Sequence, residues 1–211
     1  MILISAWVSL LADNLVLGAA LGTSTLMAAS RNRSSLPALA LVMTLFSAVS
    51  ALLAGLVTGA LQLDRVAYPY SLAVPLMYTG VVGLLYIAAL AFLHLVLRDR
   101  AGMYKKYVHL AAFNCAVMGT LYKAFDPVSL HHTDAVQFLS MDGSYLRVSD
   151  PVSAMLFGLH MGLGFALTAV MLTAVRSRLY SRDVPAAFRG FPAVLAFLGV
   201  LSMAVYAIGI G

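Results

Sequence analysis

Phe113-Asn114-Cys115-Ala116-Val117-Met118-Gly119 is the stretch that decides how this chain is read. It holds the only cysteine of the 211 residues. It lies in an apolar run between Lys105-Lys106 and Asp126. A thiolate is the softest metal ligand a protein carries. The amide beside it is expensive in hydrocarbon unless protein satisfies it. The stretch therefore predicts a broken or half-length helix that faces protein. A lone cysteine is more often a small buried hydrophobe, so Cys115 gains weight only if other polar groups meet it at the same depth.

The surroundings are those of a membrane chain. Hydrophobic residues make up 62% of the sequence and charged residues 10%. That balance predicts an integral membrane protein, all-α, folded as one membrane domain over 1–211. Six apolar segments stand out, at roughly 2–26, 37–61, 70–97, 107–124, 152–175 and 191–210. A span needs roughly 20 apolar residues. The first segment carries Asp13-Asn14 in its middle, and the fourth is short and carries Asn114. Those two are expected to be broken. The first lacks a basic leader and a small-residue cleavage site, so it is read as a retained span. One cysteine excludes an internal disulfide. The +5 net charge is spread over the loops, and no nucleic-acid partner is expected.

Charge gives the orientation. Arg31 and Arg33 follow segment one. Arg98, Arg100, Lys105 and Lys106 outweigh Asp99 after segment three, and Arg176, Arg178, Arg182 and Arg189 outweigh Asp183 after segment five. The loop after segment two is neutral, with Asp64 and Arg65. After segment four, Lys123 and Arg147 face Asp126, Asp134, Asp142 and Asp150. The positive-inside rule then puts loops one, three and five in the cytoplasm and both termini outside. Pro37, Pro69, Asp150-Pro151 and Phe191-Pro192 mark helix starts, and Pro75 is expected to bend its helix. Trp7, Tyr68 and Tyr70 suit the outer interface. The polar stretch at about 125–150 is read as an exposed loop, where His131, His132 and Asp134 fall short of a full metal-ligand set.

Three glycine pairs at one-turn spacing, Gly18/Gly22, Gly55/Gly59 and Gly158/Gly162, are expected to let helices approach closely. His94 and His160 read as packing residues, and His109 as a weak ligand candidate. Asp13 is an intramembrane carboxylate and thus a functional candidate. Asn14-Leu15-Val16-Leu17-Gly18 weakly echoes Asn114-Cys115-Ala116-Val117-Met118-Gly119. The two lie in segments that cross in opposite senses. Six transmembrane helices arranged as two inverted three-helix repeats, about 1–97 and 107–211, would bring these polar centres together near the midplane.

The chain resembles the RnfA/NqrE membrane subunits of ion-translocating NADH oxidoreductases. The resemblance rests on Asn114-Cys115-Ala116-Val117-Met118-Gly119 and on the last basic loop, Arg176-Ser177-Arg178-Leu179 followed by Asp183-Val184-Pro185-Ala186-Ala187-Phe188-Arg189-Gly190. It covers nearly the whole chain. It implies six spans in the cytoplasmic membrane of a bacterium or archaeon. It also implies a pseudo-symmetric dimer with an RnfE/NqrD-like sister subunit, and further partner subunits carrying flavin and Fe–S groups. Two cysteines from each partner would hold a [2Fe–2S] cluster in the membrane and relay electrons across it, coupled to sodium or proton movement. Two positions depart from the family. Ser24, in Leu21-Gly22-Thr23-Ser24-Thr25, stands where the family has its second cysteine, and Asp13 replaces one asparagine of a pair. Fe–S clusters are held overwhelmingly by thiolates. The implied ligands are thus Cys115 and, at the second position, Ser24, with Asp13, Asn14 and Asn114 shaping the polar centre. The alternatives are a cluster-free structural or ion-conducting subunit, with Asp13 as the cation or proton group, and a small-solute transporter. No catalysis by the chain alone is expected.

Overall fold

In the computed structural model of the chain, residues 10–11, 13–30, 36–61, 73–96, 98, 101–125, 137–139, 145–148 and 150–210 are described. Helices dominate them. They are α1 (Leu15–Ala19), α2 (Thr23–Ser30), α3 (Leu36–Ala60), α4 (Ala73–Val96), α5 (Ala101–Ala112), α6 (Cys115–Ala124), α7 (Pro151–Leu179) and α8 (Phe191–Ile210). The chain is helical as expected, with one short exception in a loop. The 125–150 loop contains an antiparallel hairpin, β1 (Gln137–Leu139) with β2 (Tyr145–Arg147), in the register Phe138 opposite Leu146. Trp7, Arg31, Arg33, Asp64, Arg65, Tyr68, Pro69, Tyr70, His131, His132 and Asp134 lie outside the described residues.

Among the described residues, three helices are long and apolar enough to cross a membrane: Leu36–Ala60, Val74–Val96 and Pro151–Leu179. The last helix is apolar over the shorter stretch Phe191–Ala207. α3 and α7 form the central pair, and small residues explain their approach. A Cβ on Gly158 would stand 2.5 Å from the Ser47 carbonyl oxygen, and one on Gly162 would stand 2.5 Å from Thr44 Cα. One on Gly55 would stand 3.0 Å from Pro151 Cα. Late α3 thus meets the start of α7 and earlier α3 meets its middle, so the pair is antiparallel. Gly158 and Gly162 act within the chain, while Gly18 and Gly59 face open space. Hydroxyls along these helices turn back on their own carbonyls, Thr44 to Ala40 at 2.8 Å and Thr173 to Ala169 at 2.7 Å. That is how a polar side chain is satisfied where water is absent.

The helix starts follow the sequence signals. Pro37 and Pro151 sit in first turns. Ser153 Oγ accepts the Asp150 N–H at 3.0 Å, half of a capping box. Pro75 also falls in a first turn, where its missing N–H disturbs nothing. The bend expected there is therefore not required. α8 follows Gly190, whose φ of +87° closes the last basic loop. Arg189 braces that loop, donating to the Arg182 and Val184 carbonyls at 3.0 Å each. α4 stands apart: only 6% of its apolar window is buried, against 50% in α3 and 56% in α7.

Candidate functional site

Both segments expected to break do so, each at an asparagine. Leu10 and Leu11 are helical, and the chain then opens at Asp13-Asn14 before α1. A second opening, Ala20-Leu21-Gly22, separates α1 from α2, with Ala20 at φ +55° and Gly22 at +81°. In the fourth segment the helix stops at Ala112 and restarts at Cys115. The reason is the same at both main breaks. Asn14 Oδ1 accepts the Val16 N–H at 2.9 Å, and Asn114 Oδ1 accepts the Ala116 N–H at 2.9 Å. Each asparagine is an N-cap in extended backbone, and each is 2% exposed.

The two amides then reach in opposite directions. Asn14 Nδ2 donates to the Gly164 carbonyl and to Thr168 Oγ1, both at 2.7 Å, on α7. Asn114 Nδ2 donates to Met43 Sδ at 3.4 Å, on α3. The first broken segment is thus tied to α7 and the second to α3. The turn at Gly22 links the breaks. Its N–H donates to Cys115 Sγ at 3.0 Å, and a Cβ there would stand 3.0 Å from Asn114 Oδ1. On α6, Gly119 leaves room for the Leu21 side chain.

Cys115 is exposed, at the start of α6. It borders an open, mainly apolar cavity of about 390 Å³ between α4 and the α5–α6 break, together with Val82, Tyr86, Phe113 and Met118. Tyr86 holds that wall. Its hydroxyl is 2.6 Å from His109 Nδ1, and its ring meets Phe113 edge-on at 5.4 Å. His109 is thereby a hydrogen-bonded packing residue. Ser24 lies in the first turn of α2, exposed, two residues beyond the Gly22 that touches the cysteine. Among the described residues no three His, Cys, Asp or Glu side chains converge as a metal set. The donors present fit one ligand of a [2Fe–2S] group, Cys115 with its N–H donor to sulfur, and a bare hydroxyl at the second position does not complete the pair.

Asp13 is where sequence reasoning fell short. Lys123, counted above as a loop residue, stands in the last turn of α6 with Nζ 3.3 Å from Asp13 Oδ1. His160, read as packing, places Nε2 3.8 Å from Asp13 Oδ2. A signal existed: His160, Gly164 and Thr168 recur every four residues on α7, so one stripe faces both Asp13 and Asn14. Lys123 carried none, because a basic residue near a span end ordinarily reads as an interface anchor.

These features define an apolar helical membrane chain that keeps two capped helix breaks against one central helix pair. Residues 2–210 match the family described as "Rnf-Nqr subunit, membrane protein", and the chain belongs to that family. Its curated relatives are each named as one subunit of an "Ion-translocating oxidoreductase complex". The one from Alkalilimnicola ehrlichii is 28% identical over 202 residues, 92% of this chain and 89% of the relative. The one from Cronobacter sakazakii is 32% identical over 98 residues, 46% of this chain, and the match spans only 40% of that relative's length. The one from Yersinia enterocolitica is 29% identical over 137 residues, 58% of this chain and 61% of the relative.

Proposed function

We propose that this chain is a membrane subunit of an Rnf/Nqr-type ion-translocating electron-transport complex in the cytoplasmic membrane, with both termini outside. It pairs there with an RnfE/NqrD-like sister subunit, and flavin- and Fe–S-bearing subunits supply the chemistry it lacks. The observation that carries this reading is the exchanged tether, Asn14 on α7 and Asn114 on α3. Two half-built units that each grip the other's long helix support a reading as an inverted repeat of six spans.

The pairing face is the one around Cys115. It offers an exposed thiol, the apolar cavity beside it and Phe113, 79% exposed. Leu76, Leu84 and Leu95 extend the exposed apolar surface along α4. On that face Cys115 would hold one iron of a [2Fe–2S] cluster shared with the sister subunit, and Ser24, at the family's second cysteine position, adds no thiolate. Such a group, when bound, passes one electron at a time. The chain's own part is to set the sulfur at a helix start, to aim the Gly22 N–H at it and to exclude water with an apolar wall. Hydrogen bonds to cluster sulfurs tune its potential.

Iron, acid-labile sulfide and the paramagnetic resonance spectrum of this chain copurified with its sister subunit test the reading. The expected result is a reducible two-iron signal that Cys115→Ala abolishes while the two subunits still copurify. Copurification without iron, unchanged by Cys115→Ala, would overturn the relay and leave a cluster-free structural or ion-conducting subunit. Failure of the chains to associate would overturn the pairing itself.

A further inference from the structure

We propose that His160, Asp13 and Lys123 form a proton-exchange site that takes a proton and turns away sodium. The proposal goes beyond the electron-relay reading and uses neither of its ligand positions, Cys115 and Ser24. Three separate segments supply the three groups: the break before α1, the end of α6 and the middle of α7. Lys123 Nζ lies 3.3 Å from one carboxylate oxygen of Asp13, and His160 Nε2 lies 3.8 Å from the other. Exposure rises along the row, from 6% at His160 through 28% at Asp13 to 37% at Lys123. The row therefore leads from the interior to the surface.

Each group has a distinct task. The imidazole is the buried acceptor, because histidine changes charge nearest neutral pH. Asp13 stands between it and the surface. A proton arriving from outside the fold protonates Asp13 and opens its ion pair with Lys123. Asp13 then closes the 3.8 Å gap to hydrogen-bond distance, its O–H breaks as the His160 Nε2–H forms, and the carboxylate pairs again with both cations. One proton is taken up and no electron moves. The ammonium already fills the cation position beside Asp13, so an alkali ion would have to displace it. Among the described residues, the helices packed on α7 bring few further charged or titratable groups. α2 and α3 carry no titratable side chain, α6 adds Cys115 and Tyr122, α8 adds Tyr206, and α7 adds Asp150 at its cap with Arg176 and Arg178 at its far end.

The test is a pH titration of the full chain in lipid nanodiscs, with nitrogen-15-labelled histidine and His160→Gln to identify the resonance. His160 should take up one proton as the pH is lowered. Asp13→Asn should weaken its proton affinity about tenfold, and Lys123→Met should strengthen it about tenfold. Replacing potassium with sodium at constant ionic strength should leave the wild-type midpoint in place and lower that of Lys123→Met. A His160 that stays in one protonation state throughout would overturn the proposal. So would a midpoint unmoved by Asp13→Asn, or one that sodium shifts in the unaltered chain, which needs no variant.

Discussion

Asp13-Asn14-Leu15 and Phe113-Asn114-Cys115 are one backbone device put to two uses. In both, the asparagine N–H bonds the carbonyl three residues back, at 3.3 and 3.2 Å, and its side chain caps the next helix. The flanking residues differ. The first break puts a carboxylate before the asparagine and a leucine after it. The second puts an exposed aromatic ring before and a thiol after. The cap fixes where a helix stops and leaves its neighbours free to carry chemistry. Charge has gone to one break and sulfur to the other.

The sharpest way to break this equivalence is to remove each asparagine. Asn14→Ala loses a cap and two strong buried bonds, and should cost about 3 kcal/mol of unfolding free energy. Asn114→Ala loses the same cap, but its amide meets only a thioether, a weak acceptor, so about 1.5 kcal/mol is expected. Reversible unfolding in mixed micelles measures both. Equal losses would mean that the α7 tether contributes nothing beyond the cap.

A smaller effect tests whether the breaks are coupled. Gly22→Ala must hold a positive φ and push against Asn114 Oδ1, and should cost about 1–2 kcal/mol. Gly18→Ala meets nothing within 4 Å and lies inside α1, where alanine should stabilise by about 0.5 kcal/mol. If Gly22→Ala proved as harmless as Gly18→Ala, the turn before α2 would not be seated on the second break.

Hydrophobic runs, proline positions and the cost of a buried amide made the three long spans and both breaks legible in the sequence. The reason is that each of these is local. Cys115 was legible as the odd residue, and its contact with Gly22 was not, because a backbone N–H has no sequence signature. The exchange of tethers was also hidden. Asn14 meets Thr168 across 154 positions, and nothing in either residue names the other. The ion pair was the largest omission. Asp13 was singled out, but Lys123 read as a loop charge and His160 as packing, since only the folded chain brings α6 and α7 to the first break.

The smallest expected effect concerns that pair. Asp13→Asn should change unfolding free energy by less than about 1 kcal/mol. Both partners are about one third exposed, and pairs of that kind contribute little. The asparagine keeps the shape of the side chain, and the long Lys123 stem can carry its charge to the surface once released. Asn14, one residue on, is the structural member. A loss for Asp13→Asn as large as that for Asn14→Ala would make Asp13 a second pin holding α1 to α6 and α7. The two breaks would then differ in how firmly they are fastened, and the assignment of proton chemistry to one and sulfur to the other would lose its basis.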